Sequence, residues 1–377
     1  MSSSGRTWRG FAAGAALVAA ACGESAGPAP TLSNPQQLSS DLQTVGNVFQ
    51  TPPFQSFAAL ATVPGSPVAA SAPTGALLSA ARVAAPQPYA DAPAQLQVLR
   101  SAASALSSRL TAQVIPPDLW GKTFVWDVNT HQYAVGADPG PSTGVRIILY
   151  QVDANGAVIE PPQAVGFVDL VDQSSGNTNQ VHVTVQGGRP GSAGTTYADY
   201  VVSATVVTSG TGAVSEFTAT ALGSVSDGTR TLHFNAAFHA TNLDTDNPDA
   251  QVDVTWDLDH PAVSVALHET LTTPDADHVN LTIDFSVTRG GETVRLTGTV
   301  SVVVSTQSVT ADLTVYVNGA TFARISGTDA TIQARHPNGS ALSQDEEAAI
   351  VQMFVLPDRL VEAIEQLFHP AEHFLGA

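Results

Sequence analysis

Cysteine occurs once in these 377 residues, at Cys22, and lysine once, at Lys122. A single cysteine excludes an intrachain disulfide, so an exported form of this chain must be held together by packing. Basic residues are scarce: 14 Lys and Arg stand against 33 Asp and Glu, giving a formal charge of −19. That balance excludes a nucleic-acid surface, which needs clustered cations to displace counterions. Nowhere do 18 apolar residues run together, which excludes an internal membrane-spanning helix. Apolar residues nonetheless make up 43% of the chain, enough for a sizeable packed core.

The N-terminus reads as an export address. Arg6 and Arg9 form a short basic region, and Phe11 to Ala21 follow as an apolar run that ends at Cys22. The run suits a signal peptide and is too short to cross a bilayer. With Ala19-Ala20-Ala21-Cys22 in the place of a lipobox, this segment resembles a bacterial lipoprotein precursor. Ala19 departs from the leucine the family prefers, and Ala19-Ala20-Ala21 also satisfies an ordinary signal-peptidase site. The resemblance implies cleavage after residue 21, lipidation of Cys22 and anchoring to a membrane, on the periplasmic side of the outer membrane or at the cell surface. Residues 22–34 then form the lipidated cysteine and a flexible tether, small, polar and proline-containing.

A helical segment is expected over 35–112. Asn34-Pro35 supplies a cap and a first-turn proline, with Gln37 placed to complete a capping box. Leu38, Leu42, Val45 and Phe49 recur at helical spacing until Thr51-Pro52-Pro53 stops the helix. Residues 62–92 are rich in Pro, Ala, Ser and Gly and read as a linker; Leu96, Leu99, Ala103, Leu106 and Leu110 mark a second helix over 93–112.

From about residue 113 to 341 the period changes from 3.6 to 2. Val181, Val183 and Val185 alternate with polar residues, as do Leu232 to Phe238, Val252 to Leu258, Val279 to Val287, Val294 to Val304 and Val309 to Val317. Asn155-Gly156, Asp227-Gly228, Gly290-Gly291 and Asn318-Gly319 are tight-turn pairs. No helical pattern intervenes, so parallel crossovers are excluded and an antiparallel meander of ten to thirteen strands is expected. Residues 342–377 return to helix, with a Ser343/Glu346 capping box and Ile350, Met353 and Phe354 on one face; Pro357 interrupts it. A sheet this wide tends to curl. The expected fold is mainly β (α+β): a large curved antiparallel meander, half-barrel or barrel-like, with N- and C-terminal helices packed on its apolar face. A membrane barrel would have strands of this kind, but the lipobox, the terminal helices and the few Trp and Tyr speak against it.

Candidate chemistry is sparse. His369-Pro370-Ala371-Glu372-His373 matches an inverted zinc-protease motif, yet Pro370 breaks the helix it needs and no third ligand follows. Asp244, Asp246 and Asp249 resemble the start of a calcium loop, although Pro248 and Asp249 stand where the EF-hand pattern wants other residues. Ten acids and no Lys or Arg fall between Arg230 and Arg289. The bland alternative is a solvated acidic turn. His233, His239, His268 and His278 fall on the polar phase of their strands, and His233 and His239 lie roughly 20 Å apart, too far to share a metal. No G-x-S-x-G elbow occurs. The expected role is therefore non-enzymatic: an envelope lipoprotein binding a lipid or other hydrophobic ligand in a cavity beneath the helices. In outline the meander with covering helices is similar to lipoprotein carriers of the LolA and LppX type. The alternative is a structural or protein-interaction module of the cell surface, stabilised by calcium at the acidic turn.

Overall fold

A computed structural model of the chain describes residues 30–60 and 114–353, apart from position 193. Cys22, the 62–92 linker, the 93–112 helix with Leu106, Phe354 and the 369–373 motif lie outside the described residues.

The strands are β1 (Lys122–Asp127), β2 (Gln132–Pro139), β3 (Gly144–Tyr150), β4 (Ala164–Asp172), β5 (Thr178–Gly187), β6 (Thr196–Thr208), β7 (Val214–Ser226) and β8 (Thr231–Thr241). They continue as β9 (Asp249–Leu258), β10 (Val263–Asp275), β11 (His278–Arg289), β12 (Glu292–Val303), β13 (Ser308–Val317), β14 (Ala320–Thr328) and β15 (Gln333–Arg335). All belong to one open sheet, in chain order from β15 to β3 and then β1 and β2. Fifteen strands exceed the ten to thirteen expected, because the weakly alternating segments before β5 also pair. One pair departs from the meander: β1 and β3 run parallel, since the β1–β2 hairpin folds outward and β3 returns along its other side.

The expected turns form where Gly can take positive φ, as at Gly290-Gly291 between β11 and β12 and Asn318-Gly319 between β13 and β14. At 4.8 Å per strand the sheet would span about 67 Å if flat, and such a sheet curls. Its curvature has local devices in the mid-strand glycines Gly223 (φ 157°) and Gly298 (φ 146°). A Cβ at Gly298 would come within 2.1 Å of the Asp312 carbonyl oxygen.

One face of the sheet is apolar and carries the helices. Helix α1 (Pro35–Asn47) buries Leu38, Leu42 and Val45, and the Asn34 side chain accepts from the Gln37 amide at 3.1 Å. The reciprocal half of the capping box does not form, because the Gln37 side chain turns to Asp41 instead, at 2.7 Å. Thr51-Pro52-Pro53 does more than stop α1: the prolines occupy the first turn of a further helix, α2 (Pro52–Ala59), packed across β3 to β6. A third helix, α3, begins at residue 344. Its Ser343/Glu346 capping box is formed at both ends, and Ile350 and Met353 are buried.

A run of rings ties helices to sheet. Tyr200, Phe234 and Trp256 succeed one another across the strands at 6.0 and 6.3 Å; Trp256 meets Phe49 at 6.2 Å, and Phe49 meets Phe54 at 5.3 Å. Aromatic pairs at such separations add roughly 0.5–1.5 kcal/mol each beyond area burial.

Candidate binding surfaces

The inner, apolar face is sealed unevenly. Beneath α2 the inward side chains of β3 to β5, from Val145 and Ile147 to Val183 and Val185, have no accessible surface. In the middle of β8 to β12 the seal is looser: Phe238, Val252, Leu267 and Ile283 keep 5–7% exposure. The same cross-strand row runs Phe238, Val252, Glu269, Ile283, Gly298. Glu269 is a carboxyl on the apolar phase of β10, buried and partnered, and Gly298 contributes no side chain. The sequence held a signal here, an acid at an inward position between Leu267 and Leu271.

The N-terminal segment is clasped at the β11–β12 turn. Arg289 Nη2 donates to the carbonyls of Ser33 (2.7 Å) and Asn34 (3.0 Å). Arg289 also faces Asp41 at 3.4 Å and Glu292 at 3.7 Å, and the Ser33 amide donates to Glu292 at 2.8 Å. All three charged side chains are nine-tenths or nearly so removed from solvent.

The outer face is polar, and His233, His239, His268 and His278 do lie on it, exposed or half-exposed. Carboxylates stand beside several: His182 with Asp199, His268 with Asp253, His278 with Asp275, at 2.6–2.8 Å. Asp253 and Asp275 stand directly opposite their histidines on antiparallel strands, which brings Cβ atoms to about 5 Å, whereas Asp199 reaches His182 along the diagonal. At the centre of this face is a shallow open groove of about 400 Å³. Two cross-strand rows make it. One runs Asn235, Thr255, Ala266, Ser286, Arg295; the other runs Ala237, Asp253, His268, Asp284. Small Ala237 and Ala266 lower the surface between longer neighbours.

The two acids of the groove are already engaged. Asp253 takes His268 Nδ1 at 2.6 Å and Gln251 Nε2 at 2.6 Å. Partial burial pushes its carboxyl up, but these two bonds outweigh that and hold it below the ordinary aspartate range. Asp284 is held down chiefly by the two-pronged bond from Arg295, at 2.7 and 2.6 Å. An ionised Asp253 can only accept, so His268 Nδ1 carries the hydrogen and Nε2 is left unbonded. Ser286 sits one diagonal step away, but no hydrogen bond joins it to His268. The amides of β8 to β12 are engaged in the ladder, which leaves no donor pair for an oxyanion hole.

Asp244 and Asp246 are exposed in the β8–β9 turn, and Asp249 accepts from Asn242 at 2.9 Å. Among the described residues no three His, Cys, Asp or Glu side chains converge on a common metal position. The cluster of Asp253, His268, Asp284 and Arg295 is not legible in the sequence, since pairing across β9 to β12 cannot be read from one strand at a time. Comparison with protein-family models, with curated proteins and with solved structures returns no match.

Proposed function

We propose that the chain is an exported envelope lipoprotein, anchored through Cys22, that holds a lipid or another hydrophobic ligand against the apolar face of its open sheet. The observation that carries this reading is the uneven seal of that face. Side chains under α2 are closed to solvent, whereas Val252 and Ile283 keep 6–7% exposure and their neighbour Gly298 is half-buried. An apolar ligand there would replace residual water contact with dispersion contacts, and the hydrophobic effect favours that by roughly 25 cal/mol for each Å² covered. The N-terminal basic and apolar segment supports the anchoring half of the proposal.

The test is native mass spectrometry and lipid extraction on the full chain purified from a bacterial envelope. A stoichiometric apolar species is expected in the wild type and is expected to fall away in Val252→Trp and Ile283→Trp, which fill the loose row. Circular dichroism of the variants separates a filled site from an unfolded one. A wild-type protein that carries no apolar species sinks the reading.

A further inference from the structure

We propose that the groove on the outer face is a second binding site, for a neutral polyhydroxyl ligand of the oligosaccharide class. This does not depend on the inner-face reading, because the two lie on opposite sides of the sheet.

The groove leaves a set of polar groups unbonded. Its acids are spent: Asp253 on His268 and Gln251, Asp284 on Arg295. What remains is the Asn235 amide, the Thr255 and Ser286 hydroxyls, His268 Nε2 and the Nη1 edge of Arg295. None of these makes a hydrogen bond among the described residues, and all line one concavity. Amides, hydroxyls and imidazole nitrogens both donate and accept, as sugar hydroxyls do. Because Asp284 neutralises Arg295 and the whole chain carries −19, an anion gains little here and is repelled at long range. A cation finds no carboxylate free to receive it.

Shape agrees with chemistry. The lining residues extend from β8 to β12, four strand spacings or about 19 Å, so the site suits a chain of rings rather than a single small molecule. The row through the groove continues at one end to Leu222, 59% exposed, and at the other to Tyr316 opposite Arg295. Both offer apolar surface on which the carbon face of a sugar ring can rest. An extended peptide adding to the sheet is excluded at this place, because β8 to β12 are interior strands with neighbours on both sides.

The experiment is calorimetric titration of the full chain with neutral hexasaccharides (maltohexaose, cellohexaose and mannohexaose) and with an anionic galacturonate hexamer. At least one neutral hexamer is expected to bind, and the anion at least about tenfold more weakly, a difference worth one to two ordinary hydrogen bonds. Ala266→Trp, which fills the floor at an exposed position, is expected to cost about tenfold or more, as is Asn235→Ala. Thr310→Trp, on the same face but outside the groove, leaves binding unchanged. The proposal is overturned if no neutral hexamer binds, if the anion binds more tightly, or if Ala266→Trp binds as the wild type does.

Discussion

Replacing Arg289 by leucine removes the only cation from a buried group of three charges and leaves Asp41 and Glu292 facing each other without it. The Arg289 side chain is 13% exposed and each carboxylate 9%. The substitution also strips two carbonyls, Ser33 and Asn34, of their guanidinium donor. Breaking a buried ion pair from one side costs about 3–5 kcal/mol, because the remaining charge stays desolvated and uncompensated. Leucine keeps most of the apolar stem volume, so little of that loss comes from packing. Against it stand Leu38, Leu42 and Val45 on the apolar stripe of α1 and Phe49 just beyond its end, all buried. At about 1.5–3 kcal/mol each they contribute more than the clasp does. The expected result is therefore a protein destabilised by about 3–5 kcal/mol with α1 still docked. Urea unfolding followed by circular dichroism gives the free energy, and near-ultraviolet dichroism of Trp256, which packs on Phe49, reports whether α1 stays in place. Adding Asp41→Asn to the leucine variant is expected to restore part of the loss. A leucine variant within about 0.5 kcal/mol of wild type would refute the reasoning, since that is the ordinary scale of surface substitutions.

Gly298→Ala places a Cβ at a φ of 146° and within 2.1 Å of the Asp312 carbonyl, so it is expected to cost about 1–3 kcal/mol or more, read as a lowered urea midpoint. Burial pushes Asp227, Asp253 and Glu346 up, yet bonds from Arg230 and Thr229, from His268 and Gln251, and from Ser343 and His336 leave each below its ordinary value; Arg295 does the same for Asp284. Carboxylates depressed in the folded state contribute stability above their unfolded values of 3.8 and 4.5, and lose it as pH falls through the lower folded values. Melting temperature is accordingly expected to drop steeply below about pH 4, and a profile flat down to pH 2 would contradict these assignments. Ser343→Ala removes the α3 cap and is expected to cost about 1 kcal/mol, with faster amide exchange confined to the first turn of α3.

Much of the architecture was legible because its signals are local. Alternation at Val252 to Leu258 or Val279 to Val287 needs no partner to declare a strand with one apolar side, and Gly290-Gly291 declares a turn by its own backbone freedom. The Ser343/Glu346 cap was readable for the same reason. Where two local signals overlap, reading is harder. Thr51-Pro52-Pro53 ends one helix and opens another, and the same prolines serve both roles. Gln37 could close a capping box or bond Asp41 one turn on, and burial of Asp41 at the clasp decided for the second.

What the chain alone determined is therefore composition and period: an acidic polypeptide with a single cysteine and a long amphipathic meander between helices. Only the tertiary structure decided which strands neighbour one another, that the sheet stays open, and which side chains meet across it. Arg289 finds Asp41 across 248 positions, and Asp253, His268, Asp284 and Arg295 come together from four strands. Such meetings depend on register, and register is set by the burial of every inward residue at once, so no single segment carries them.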